Sequence, residues 1–163
     1  MNIFYLEHNT KKCAEQHVDR HAVKMCVEYA QLLCSAHWMS GGQAPYKLAH
    51  KNHPCSIWVR QNINNYRWLC ELGLAVCNEF SYRYGKTHKS CDVIWWCIEN
   101  EPNLPDGEFT EPPQAMPDEF KVINDSITAY RKYYAFGKKH LHSWKGREIP
   151  EWLDIYEYVT PDI

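Results

Sequence analysis

The segment from Glu15 to Ala36 constrains the fold more than any other part of the chain, because it reads as one helix that is apolar on two sides. Val18, Ala22, Met25, Tyr29, Leu32, Leu33 and Ala36 recur at helical spacing and form one tight face; Val23, Val27, Ala30 and Cys34 supply a second. A helix apolar on two sides is mostly buried, so the spacing places it at the centre of a helical domain. One polar edge remains. His17, His21, Lys24 and Glu28 fall within about 60° of one another on it, about 90° from the first apolar face. Two imidazoles, an amine and a carboxylate on a largely buried helix need partners or water, and such a set suits proton transfer.

The rest of the chain divides into further helical stretches. Residues 2–6 read as a short strand or an extended lead-in. The first helix is expected from about Lys11 to Trp38, ended by Ser40-Gly41-Gly42 and Pro45. Asn52 or His53 is the expected cap of a second helical region over about 55–84, with Pro54 near its first turn and Gly85 as its stop. Ser90 caps a short helix over about Cys91–Asn100. Residues 101–117 carry five prolines and read as a long irregular loop, a feature that is uncommon inside a compact domain. A last helix is expected from Asp125 or Ser126 to about Phe136-Gly137, followed by an irregular tail with one turn after Pro150. No segment alternates strongly enough to build a sheet. The expected class is mainly α: a single domain over residues 1–163, a helical bundle around a central N-terminal helix.

Composition sharpens this reading. With 163 residues the chain can bury a real core. Its formal net charge of −2 does not mark it as a nucleic-acid binder by bulk charge. Aromatic residues reach 14%, with seven Trp and eleven Tyr, which implies a Trp-rich core or stacking surfaces. The eight cysteines form no C-x-x-C pair and lie mostly among apolar neighbours, as reduced core thiols of a cytosolic protein do. The first six residues are too short and too soon followed by charge for a signal peptide, and no apolar run approaches the ~18 residues that span a membrane. The expected location is cytoplasmic, or the host cytoplasm for a viral protein, with no membrane partner.

Five constellations can carry chemistry. In the helical stripe, Lys24 is a candidate nucleophilic amine and Glu28 a general acid or base, with His17 and His21 as proton shuttles. The His17/His21 pair has the i,i+4 spacing of a metal pair. It lacks the glutamate of the H-E-x-x-H pattern and needs a third ligand from His50, His53 or His88, so neither a metal nor another cofactor is expected. The loop His50-Lys51-Asn52-His53-Pro54, with Arg60 following, is suited to an anion such as phosphate. The run Arg83-Tyr84-Gly85-Lys86-Thr87-His88-Lys89 is a second candidate phosphate clamp. From Tyr130 to Arg147 there is no acidic residue, and Arg131, Lys132, Lys138 and Lys139 interleave with aromatic rings, as nucleic-acid binding requires. In the proline-rich loop, Gln114 can read a base edge.

Four stretches resemble the pyrimidine-dimer DNA glycosylases, small α-helical phage enzymes of the endonuclease V type. They are the opening Met1-Asn-Ile-Phe-Tyr-Leu-Glu-His8; Gln16-His17-Val18; Tyr46-Lys47 with Lys51-Asn52-His53-Pro54 and the Arg83-Tyr84-Gly85 helix end; and Tyr130-Arg-Lys-Tyr-Tyr134 with Gly137-Lys138. The chain is also similar to small uncharacterised tailed-phage proteins. The glycosylase resemblance implies an enzyme that opens an N-glycosidic bond at a damaged or modified base. The N-terminal amine would attack the sugar C1′ to form a Schiff base, and a helix glutamate would assist. Here Met1 would supply that amine, Lys24 stands at or near the family's glutamate, and Glu28 is the nearest acid of the stripe. The implied partner is DNA or a nucleotide. The alternatives are a non-catalytic DNA-binding or host-takeover protein and a metal-assisted nucleotide hydrolase.

Overall fold

The computed structural model describes residues 2–158, and among them every regular element is helical. Residues 2–6 are extended and buried, with no ladder partner. Side chains satisfy their backbone instead: the Phe4 N–H donates to the Tyr29 hydroxyl, the Cys13 thiol donates to the Phe4 carbonyl, and Arg131 Nε donates to the Leu6 carbonyl. A buried extended segment needs such partners because each unpaired polar group costs about 1–3 kcal/mol.

The expected first helix is two helices. α1 spans Thr10–Glu15, with Asn9 accepting the Lys12 N–H as its cap. α2 spans Asp19–Met39. Between them Gln16 caps α1 in right-handed geometry, His17 bends away, and Val18 is extended at φ −60°, ψ 155°. The carbonyls released at the break are all claimed. Arg83 donates to those of Glu15 and His17, and Trp144 Nε1 donates to that of Gln16.

The expected 55–84 helix is likewise divided. α3 spans Pro54–Gln61 and α4 spans Ile63–Tyr84, hinged at Asn62 (φ −156°). The Asn62 side chain accepts the Asn65 N–H and donates to the Glu108 carbonyl, so one amide caps α4 and holds the proline-rich loop. At the other end Gly85 sits at φ 68° and closes α4 through its N–H to the Ser81 carbonyl, as expected of a left-handed glycine stop.

α5 spans Cys91–Glu99; Ser90 stands at its cap position without a capping side-chain bond. Residues 101–117 are irregular, as expected, and then α6 spans Ser126–Lys132 with Asp125 accepting the Thr128 N–H. α6 runs directly into a wide π turn over Tyr133–Gly137. The tail departs from expectation: α7 spans Glu151–Tyr158, more than a single turn.

α2 packs against α3, α4 and α5, and α1 lies along α4. Twelve α2 residues are buried, among them Ala22, Met25, Tyr29, Leu32 and Leu33 of the anticipated face. Fully buried Tyr29, Tyr66, Tyr130 and Tyr134 carry much of the core volume, and all eight cysteines are buried free thiols. No helix among the described residues is long and apolar enough to cross a membrane.

Candidate functional site

The polar stripe splits along its length. Its N-terminal half turns inward. His17 lies in the α1–α2 break, fully buried, with Nδ1 on the Cys13 carbonyl at 2.7 Å and Nε2 on the Tyr29 hydroxyl at 2.8 Å. His21 stacks on Phe4 at 4.0 Å between ring centroids, and its Nδ1 meets the Tyr134 hydroxyl at 2.6 Å. Burial lowers both from the usual imidazole range, His17 to about 4 and His21 to about 2. Both rings are therefore neutral near pH 7 and tie the break to the aromatic core.

The C-terminal half faces a groove of about 560 Å³. α2 contributes Val23, Lys24, Val27, Glu28 and Gln31, whose helical spacing lines them along one side. His50 and His53 enter from the loop before α3, and His88 from the α4–α5 connection. The Glu28 side chain is only 15% exposed and pairs with Lys24 Nζ at 3.5 Å, while Lys24 is 64% exposed at the rim. Among the described residues the site thus holds one sheltered carboxylate, one amine and three imidazoles.

Two of the three imidazoles have defined tautomers. His53 caps α3 by accepting the Cys55 N–H at Nδ1 (3.0 Å), so its neutral ring carries the proton on Nε2. Burial lowers the His53 pKa; the neighbouring His50 acts in the same sense and the Glu28 carboxylate opposes it. His88 accepts the Ser90 N–H at Nδ1 (3.0 Å) and packs edge-on against Phe80. Burial lowers its pKa too, against a hydrogen bond to the Val23 backbone. Exposed Lys86 and Lys89 flank His88.

Several expected binding residues are committed elsewhere. The Arg83 side chain is fully buried; it pairs with Glu79 and Asp19 and closes the α1–α2 break, which makes it a structural cation, not a phosphate ligand. Arg60 donates to the Lys51 carbonyl at 2.7 Å and so braces the 50–53 turn. Gln114 both accepts from the Val122 N–H and donates to the Val122 carbonyl, which closes its own loop and leaves no amide face for a base.

In the 130–147 segment, Arg131 pairs with Glu7 and lies over Trp152, and Lys138 lies over Tyr133. Arg147 pairs with Glu79 through both nitrogens and stacks on Tyr82 at 3.8 Å. Lys132 is half-buried and Lys139 exposed. Acidic residues distant in sequence thus pair the two arginines at the ends of this basic run, which no local reading could register. Lys51 is exposed in the turn beside the groove. Met1, the other candidate nucleophile, lies outside the described residues.

Gln31 was not among the expected site residues, and Val23 and Val27, expected to be buried on the second apolar side of the helix, line the groove instead. The signal for Gln31 was available: it continues the edge at i+7 from Lys24 and i+3 from Glu28. Among the described residues no three His, Cys, Asp or Glu side chains stand close enough to hold a metal ion together, so His17 and His21 do not assemble with a third ligand. No family model, curated protein or solved structure matches this chain.

Proposed function

We propose that the α2 groove is the active site of a DNA-processing enzyme that opens the N-glycosidic bond of a damaged or modified base, in the manner of a glycosylase/lyase. One observation carries this reading. A sheltered carboxylate and an amine stand 3.5 Å apart on a groove wall whose other polar side chains are three imidazoles and one amide. A pocket of a few hundred Å³ with apolar walls and a few convergent polar groups accommodates one nucleotide and not a duplex, so the target base would be extruded or unpaired.

In this reading Glu28 takes a proton from the Lys24 ammonium. The amine lone pair forms a bond to C1′ while the bond from C1′ to the base nitrogen breaks. The departing base keeps that electron pair and takes the proton that Glu28 acquired; the adduct nitrogen then passes one of its protons to O4′ as the bond from C1′ to O4′ breaks, and its lone pair forms the C=N bond of an iminium on Lys24. Lys51, Lys86 and Lys89 lie beside the lining histidines in sequence and would meet the flanking phosphates.

The test is borohydride reduction in the presence of duplexes bearing an abasic site or modified bases. A covalent protein–DNA adduct is expected, lost in Lys24→Ala. Glu28→Gln should slow base release by about 10²–10⁴-fold, the usual scale for one acid–base group. An adduct that persists in Lys24→Ala and vanishes when the terminal amine is blocked moves the nucleophile to Met1. Salt-sensitive DNA binding with no bond cleavage, unchanged by both substitutions, is what a non-catalytic binder would give.

A further inference from the structure

The turn that brings His50 and His53 to the groove is braced at every residue boundary. Ser35, fully buried on α2, donates its hydroxyl proton to the Ala49 carbonyl at 3.0 Å and accepts the Ala49 N–H at 3.1 Å. One side chain therefore fixes both polar backbone groups of the residue just before His50. His50 itself takes φ +50°, a left-handed conformation that non-glycine residues adopt infrequently. The His53 N–H donates to the His50 carbonyl at 3.0 Å and closes the turn. Arg60 reaches in from α3 to the Lys51 carbonyl, and the His53 ring is held by the cap it makes on Cys55. The same loop is tied to the segment carrying His88 by the Tyr46 hydroxyl and Ser90 Oγ at 2.8 Å.

A surface loop needs none of this to connect two helices. Such bracing serves a side-chain constellation whose geometry must exist before its ligand arrives. Two imidazoles and the Lys51 ammonium belong to this single turn, and among the described lining residues Glu28 is the sole carboxylate. An anion is repelled from Glu28 and drawn to the turn.

We propose that residues 50–53 form a preorganised phosphate clamp, in which the His50 and His53 rings and Lys51 grip a backbone phosphate of the substrate strand. Ser35 and Arg60 are its positioning residues. The inference deepens the nucleotide-site reading of the groove and rests on it. It adds a division of labour: the turn holds the phosphate, and the α2 wall meets the sugar and base.

The experiment is an NMR titration of the His50 and His53 ring signals with inorganic phosphate and with a short single-stranded oligonucleotide. Both ligands should shift both rings saturably, the oligonucleotide at lower concentration. Ser35→Ala and Arg60→Met should each weaken phosphate binding by about 5–10-fold, and Arg60→Lys should restore part of it. His50→Gly carries the sharpest signature. Relief of the left-handed backbone should raise the melting temperature by about 2 °C or more while the phosphate response at His53 is lost.

Rings that stay silent to both ligands, Ser35→Ala and Arg60→Met binding like the unaltered chain, or a His50→Gly protein that melts lower would each overturn the clamp. Phosphate binding without release of any base leaves the clamp standing and removes the proposed reaction; base release with silent rings does the reverse.

Discussion

His17 and His21 are the two residues whose surroundings differ most from what their spacing implied. On a continuous helix they share an edge with Lys24 and Glu28; in the structure they are core groups with tyrosine hydroxyl partners. Their pH dependence follows. Each has a folded pKa below the ordinary imidazole value of about 6.5, so the unfolded chain takes up protons that the folded chain refuses. The stabilisation is complete above about pH 6.5 and is lost as pH falls, down to about 4 for His17 and on toward about 2 for His21; by about pH 4 the loss is on the order of 3 kcal/mol for each ring. Urea unfolding between pH 7.5 and 5 should show stability falling steeply, and His21→Phe should roughly halve the slope. Tyr134→Phe removes the hydroxyl that meets both His21 Nδ1 and the Val18 N–H. It should destabilise by about 1–3 kcal/mol in the same measurement at neutral pH. An unchanged midpoint would mean that water replaces the hydroxyl.

At the scale of elements, helix stops written in one residue were legible and helix breaks made by partners were not. Gly85 and Asp125 do what glycine stops and acidic caps do, because both act on their own backbone. The break between α1 and α2 has no proline or glycine. It exists because the Arg83 guanidinium, sixty-odd residues away, supplies the Glu15 and His17 carbonyls with donors. Arg83 also balances Glu79, whose burial alone would raise its pKa; Arg147 and Arg83 overcome this and hold it below the usual range. Arg83→Met should therefore cost about 3–5 kcal/mol, because it leaves the Glu15 and His17 carbonyls without donors and takes from the buried Glu79 one of its two guanidinium partners, Arg147 remaining. Denaturant midpoints would check this, and a loss under 1 kcal/mol would reduce the guanidinium to a bystander. The π turn makes a second test at this scale. A Cβ on Gly137 would fall 2.6 Å from Tyr133 Cδ1 and 3.2 Å from Phe120 Cε2, so Gly137→Ala should destabilise by about 1–3 kcal/mol.

For the whole molecule, the central position of α2 is what joins core and groove. The helix packs against α3, α4 and α5 with its first apolar face and Ala30 and Cys34 of the second buried, whereas Val23 and Val27, expected to be buried too, join Lys24, Glu28 and Gln31 as a groove wall where loops approach. The buried cysteines report on the integrity of this arrangement. A thiol reagent should modify none of the eight in the folded protein and all of them in urea; rapid modification under native conditions would show that the helices open readily.

Helical class, the central helix, most helix stops and the irregular proline-rich loop came from the sequence alone, since periodicity, caps and turn residues act over a few neighbours. Lys24 and Glu28 were visible as a pair for the same reason. What only the tertiary structure decided was partnership: that His17 and His21 face tyrosines, that Arg83, Arg131 and Arg147 are matched by Glu79, Asp19, Glu7 and Glu15, and that His50, His53 and His88 meet Glu28 across one groove. Charge balance and burial are properties of neighbours in space. Residues tens of positions apart become such neighbours only when the chain has packed.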